Sequence, residues 1–201
     1  MKAPEGIGIR KYRKEMEKVL KPDRYEHSIG VAYTSAALAM RFGADVQKAL
    51  IAGILHDCAK CLTHEEQLKI CKKQGLPVTD AERKNLKLLH ARVGAYLAEK
   101  EYGVTDPEIL SAIRWHTTGR PGMTKLDKIV FLADIIEPNR RMFPEMTEIR
   151  DRIFADLDEG LKLTLSYLLE YLQKSGEEID PTTEETWAYY RDGQDSAGNG
   201  S

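Results

Sequence analysis

Apolar positions recur at helical spacing along nearly the whole chain, and nowhere do Val, Ile and Thr alternate with polar residues between turn signals. Ile9 to Leu20 carries a mixed charged and apolar pattern that Lys21-Pro22-Asp23 breaks. Proline in a first turn and Asp near a helix N-terminus are both favoured, so a second helix starts around Asp23 and ends at Gly43. Its many small residues between His27 and Met40 allow close helix packing. A third helix runs from near Asp45 to His56-Asp57. Thr63-His-Glu-Glu66 is a capping box that opens a short fourth helix ending at Gly75. Leu76 to Val78 reads as loop, and Asp80 to Leu89 is polar and ambiguous. His90 to Gly103 reads as a helix with a glycine stop, and Asp106-Pro107 opens another that ends at Trp115-His-Thr-Thr-Gly119. After the loop Arg120 to Met123, Leu126 to Ile136 is strongly apolar until Glu137-Pro138 stops it. Glu145 to Ser175 holds one long or two consecutive amphipathic helices, and Thr183 to Arg191 a final short one. The pattern predicts an all-α bundle with no internal repeat. Residues 1–191 form one domain, and the polar, glycine-rich residues 192–201 form a frayed tail.

Composition narrows the class. The chain has 201 residues, enough to bury a sizeable core in one domain. Hydrophobic residues at 42% and charged residues at 31% are the balance of a globular protein in water. The formal net charge of −2 points to neither nucleic acid nor an acidic membrane as partner. No apolar run approaches the roughly 20 residues of a membrane span, and the N-terminus lacks an apolar secretion segment. An odd count of 3 cysteines offers no disulfide framework, so reduced thiols in the cytoplasm are expected. Cys58-Ala-Lys-Cys61 has no second pair to complete a zinc site, and Cys71 does not supply one.

The chemistry concentrates in histidines. Four of the 5 lie in or beside apolar helical runs: His27, His56, His90 and His116. His64, in the first turn of a charged helix, is expected at the surface. One such His is more often a hydrogen-bonded core residue than a ligand. Four of them, joined by Asp57 and Asp134 in equally apolar settings, are harder to explain that way. A buried carboxylate is costly unless it is paired or bound to a cation. His56 and Asp57 are adjacent, so on a regular helix they would point about 100° apart. One ion takes both only at a helix end, and an imidazole with a carboxylate suits Fe²⁺, Mn²⁺ or Zn²⁺. Arg24 lies three residues before His27, on nearly the same helical face, and Arg140 follows the Asp134 helix just past its proline. By themselves these two read as ordinary surface arginines. Trp187, Tyr189 and Tyr190 read as packing for the terminal helix.

His27, His56-Asp57 and Asp134, in that order on successive helices, resemble the signature of the HD-domain metal-dependent phosphohydrolases. Leu55-His-Asp-Cys-Ala-Lys60, Trp115-His-Thr-Thr-Gly119 and Ala133-Asp-Ile-Ile-Glu-Pro-Asn-Arg140 resemble more narrowly the YqeK branch, the symmetrical bis(5′-nucleosyl)-tetraphosphatases. The resemblance spans about Tyr12 to Tyr190. It implies an HD-domain helical bundle that splits diadenosine tetraphosphate into two ADP. It implies one divalent metal ion on His27, His56, Asp57 and Asp134. Iron is the expected metal, with Mn²⁺ or Co²⁺ equally admitted by the donors. Asp57, His90 and His116 are then the catalytic set. Arg24, His90, His116, Thr117 and Arg140 contact nucleotide phosphates, next to Asp57 and Asp134, with a second ion on His90 and His116 as the alternative for those two. Lys60 is either a further phosphate contact or a solvated lysine. Nucleic acid and membrane are not expected partners, and a homodimer is compatible with the resemblance. The rival readings are another HD-type phosphohydrolase or phosphodiesterase and a nucleotide-binding sensor without turnover.

Overall fold

The computed structural model describes residues 9–176 and 179–193. Among them every regular element is helical: α1 (Ile9–Val19), α2 (Pro22–Phe42), α3 (Val46–Leu55), α4 (His64–Gln74), α5 (Asp80–Lys84), α6 (Leu89–Lys100), α7 (Pro107–Trp115), α8 (Lys125–Ile136), α9 (Met146–Ala155), α10 (Leu157–Ser175) and α11 (Pro181–Arg191). Short 3-10 turns cover Cys58–Cys61 and Leu86–Leu88. No described helix is long and apolar enough to cross a membrane.

The helix ends follow local chemistry. Asp45 and Asp106 accept from the first free N–H groups of α3 and α7. Gly43 stops α2 in a left-handed conformation, φ 65°, that a side chain would strain. Thr63 and Glu66 close the expected capping box on α4. The polar stretch around Asp80 is also a helix, opened by a second box between Thr79 and Glu82. Helix α6 stops at Lys100, three residues short of the glycine expected to end it. Glu145 to Ser175 resolves into two helices, because Asp156 leaves helical geometry to cap α10. Residues 194–201 of the expected tail, like residues 1–8, lie outside the described residues.

Helix α8 is buried on all sides from Leu126 to Ala133, as an all-round apolar helix must be. Its buried lysine, Lys128, reaches Asp158 on α10 at 2.8 Å. Helix α2 packs on α3 and α8 through a face of Val31, Ala32, Ala36 and Ala39. A methyl placed on Gly53 of α3 would lie 2.6 Å from the Ala32 Cα atom, so the two backbones nearly touch. The terminal helix α11 is anchored by Tyr190, fully buried, whose hydroxyl accepts the Met123 N–H at 2.7 Å. A smaller apolar cluster of Ala59, Cys71, Leu89 and Val93 supports the 3-10 turn that follows Asp57.

Candidate metal centre

Four helices, α2, α3, α6 and α7, bring the four apolar-run histidines into one chain of rings. Ring centroids lie 5.2 Å apart for His27 and His56, 4.9 Å for His56 and His116, and 5.0 Å for His90 and His116. All four are buried. His64 is exposed, away from them.

Helix ends aim these side chains. α3 stops at Leu55, leaving His56 as its C-cap and Asp57 outside helical geometry at φ −105°, ψ 17°. The two adjacent side chains therefore converge, with His56 Nε2 3.5 Å from Asp57 Oδ2. His116 caps α7 in the same way, and His90 sits in the first turn of α6.

The imidazoles share one orientation. His56 Nδ1 bonds the Gly53 carbonyl at 2.7 Å, His116 Nδ1 the Ile113 carbonyl at 2.7 Å, and His90 Nδ1 the Lys87 carbonyl. A carbonyl only accepts, so each Nδ1 carries the hydrogen. In the neutral ring, each Nε2 then turns a lone pair inward. His27 Nδ1 bonds the Glu137 carboxylate at 3.0 Å, to the same effect.

Most of what those lone pairs face is also lone pairs. His27 Nε2 lies 2.9 Å from Asp134 Oδ1 but out of line for a hydrogen bond, and His56 Nε2 likewise has no hydrogen-bond partner. His90 Nε2 and His116 Nε2 approach to 3.0 Å, with Asp57 Oδ1 at 3.2 and 3.6 Å. Thr117 Oγ1 is 3.3 Å from His90 Nε2. Acceptors converging in a buried space need a cation, and the donor set fits a divalent one. The donors fall into two groups, His27–His56–Asp134 and His56–Asp57–His116, each within 4.8 Å. His56 belongs to both. The cysteines belong to neither: Cys58 Sγ points at the Gly94 carbonyl, and Cys61 Sγ at that of Cys58.

Electrostatics agree with cation binding. Burial opposes the charge of Asp57, but His56, His116 and His90 hold its carboxyl well below the usual range. Burial likewise opposes the charge of Asp134, and His27, His56 and Arg140 outweigh it. Burial pushes His90 down to about 4, against the pull of Asp57, so its ring stays neutral near pH 7. At His27 burial acts downward, and Asp134 and Glu137 overcome it to raise the pKa.

Each carboxylate also holds an arginine on its outer side. Arg24 donates to Asp57 Oδ2 at 2.8 Å, and an Arg140 nitrogen lies 3.7 Å from Asp134 Oδ1. Both guanidiniums are partly exposed. They stand on the lip of a cleft of about 840 Å³, which Arg141, Phe143, Tyr167 and Tyr171 also line. Lys60 is exposed on the turn after Asp57, close enough for the two charges to interact. Every candidate residue read from the sequence thus lies at or beside this centre. Two features were not read from it: the cleft, and Glu137, which the sequence marked only as a helix stop.

Comparison with known proteins identifies the family and the fold. The model of the family described as HD domain matches residues 24–139, more than half of the chain. The symmetrical bis(5′-nucleosyl)-tetraphosphatase of Bacillus subtilis strain 168 is 45% identical over 160 residues, covering 80% of this chain and 85% of that protein. The protein of the same name from Staphylococcus aureus is 36% identical over 170 residues, covering 82% and 87%. A solved structure from Clostridium acetobutylicum, a "predicted HD superfamily hydrolase involved in NAD metabolism", superposes with a TM-score of 0.87 at 36% identity, covering 92% of this chain and 97% of that one.

Proposed function

The chain belongs to the HD-domain family, among the symmetrical bis(5′-nucleosyl)-tetraphosphatases, and from that membership we propose that it cuts diadenosine tetraphosphate at the central bridge into two ADP. It is a phosphoanhydride hydrolase. The observation that carries the reading is the buried nest of imidazoles and carboxylates beside a cleft flanked by two arginines. His27, His56, Asp57 and Asp134 would hold the divalent ion, and iron is our assignment among Fe, Mn and Co. When bound, such an ion polarises a phosphoryl oxygen and acidifies water.

The chain's own residues then have to bind and place a polyanion. Arg24 and Arg140 each keep free N–H groups after meeting their carboxylates, and a guanidinium fork suits phosphate oxygens. The carboxylates fix both arginines at a set distance from the metal donors. This gives the chain of phosphates a register. Thr117 supplies a hydroxyl at the same depth. Phe143, Tyr167 and Tyr171 offer aromatic faces for one nucleoside on the far side of the arginines. One ADP-shaped half is gripped in this way, and the other half departs. Hydrolysis in ¹⁸O-labelled water, with products resolved by mass, should give ADP alone and one labelled ADP per turnover. ADP should inhibit competitively. AMP plus ATP would remove the symmetrical reading.

The 3.0 Å approach of His90 and His116 favours a second reading of those two residues. With Nδ1–H committed to backbone carbonyls, the neutral form of either ring would present a lone pair at Nε2. They can give a lone pair to a second cation shared with Asp57. Anomalous scattering from crystals of the metal-loaded protein decides between these roles. Two occupied positions, the second within bonding distance of His90 and His116, would make the centre binuclear. One position would return these two residues to phosphate binding.

A further inference from the structure

We propose that Glu137 is a positioning residue that sets the metal-facing nitrogen of His27 with one carboxylate oxygen and the turn carrying Arg140 with the other. The inference rests on the cation-binding reading above and assigns a role to a residue outside the ligand and phosphate sets. Glu137 is 1% exposed. Its Oε1 meets His27 Nδ1 at 3.0 Å, and its Oε2 accepts the Asn139 N–H at 2.7 Å. Its own carbonyl accepts the Arg140 N–H at 3.0 Å. Arg150 pins the same segment through the carbonyls of Ile136 and Glu137, at 3.0 and 3.1 Å.

Position along the helix explains why His27 needs this partner. His56, His90 and His116 sit at helix ends, where carbonyls three residues earlier are available to hold Nδ1. His27 lies inside α2, where the backbone ladder uses those carbonyls and Ser28 Oγ already bonds that of Arg24. An acceptor has to come from another element. Helix α2 makes room for it: a methyl placed on Gly30 would lie 2.2 Å from Glu137 Oε2. Glycine inside a helix is disfavoured against alanine, and at Gly30 it opens the notch that seats this carboxylate.

A carboxylate is also the one group that suits both neighbours. The imidazole Nδ1–H and the Asn139 N–H are both donors, and an ionised carboxylate only accepts. Glutamine has nearly the same shape, but its amide nitrogen would face one of the two N–H groups. Either the turn loses its cap, or His27 moves its hydrogen to Nε2 and closes its lone pair to the cation.

The test uses the full chain stripped by chelator. In ¹⁵N–¹H correlation spectra at alkaline pH, wild-type His27 should carry its hydrogen on Nδ1, and Glu137→Gln should move it partly or wholly to Nε2. Mn²⁺ affinity, measured by competition with a chelator, should fall about 10- to 100-fold in Glu137→Gln, the usual scale for a lost ligand-orienting partner. Gly30→Ala should do the same with every polar residue intact. A purely structural role would lower the melting temperature of the stripped protein without moving the tautomer. Wild-type His27 with its hydrogen on Nε2, a result that needs no variant to fold, would overturn the proposal. So would unchanged Mn²⁺ affinity in a folded Glu137→Gln. Failure of the wild type to bind Mn²⁺ would remove the cation reading as well, whereas unchanged affinity in the variants would remove this inference alone.

Discussion

Asp57→Ala is expected to leave the protein folded, without its metal and without turnover. Asp57 Oδ2 faces His56 Nε2 and Arg24, and its Oδ1 faces His90 and His116, so one carboxylate touches most of the centre. It supplies charge as well as a donor atom. Rate should drop by about 10³-fold or more, the upper scale for removing a single charge-stabilising group. The stripped protein should tolerate the change. Its loss removes an anion from among inward lone pairs, and Arg24 is open enough for water to replace the lost bond. The loaded wild type should melt higher than the stripped one, because a ligand at 100 times its Kd stabilises by about 2.7 kcal/mol. That difference should vanish in the variant. Elemental analysis, turnover and melting of the same preparations check this. Full metal occupancy with normal turnover in Asp57→Ala would show that the carboxylate is not a ligand.

Gly53→Ala is expected to destabilise the protein although it adds a single methyl to a helix. Alanine is favoured over glycine inside a helix by about 1 kcal/mol, so propensity alone predicts a more stable protein. Packing opposes it. The added carbon would lie 2.6 Å from Ala32 Cα and 3.0 Å from Ala32 N, both backbone atoms with no rotamer to swing aside. Helices α2 and α3 must separate, and overpacking of a tight core costs about 1–3 kcal/mol. The cost has a functional reading too, because α2 carries His27 and α3 ends in His56, whose rings stand 5.2 Å apart. The variant should melt below the wild type and bind Mn²⁺ more weakly. A melting point at or above that of the wild type would mean that the α2–α3 contact is looser than the structure makes it.

These two residues mark where sequence reading succeeds and where it stops. Asp57 was legible because a carboxylate at the end of an apolar run, next to a histidine, is costly without a partner. The small residues of α2 announced close packing but not its counterpart, since nothing local says that Gly53 meets Ala32. Capping boxes show the same divide. Thr63-His-Glu-Glu66 stood before a recognisable helix. Thr79-Asp-Ala-Glu82 has the same form but opens only five residues, too few to show a period. Glu137 stood next to a proline and carried the look of a terminator. Its partners His27 and Gly30 lie on α2, and the His27 contact spans 110 positions of chain. The cleft was illegible for a similar reason, because Arg24 on α2, Phe143 after α8, and Tyr167 and Tyr171 on α10 acquire a common purpose only in three dimensions.

The burial of α8 on every side sets an order of events during synthesis. A chain growing from its N-terminus presents His27, His56, Asp57, His90 and His116 before Asp134 exists. Asp134 arrives on the helix around which the later helices complete the apolar interior. Closing so long a loop costs chain entropy that only the burial of that helix can repay. The full set of donors therefore cannot assemble on a half-made chain, and hydrolytic capacity begins only when the interior has shut.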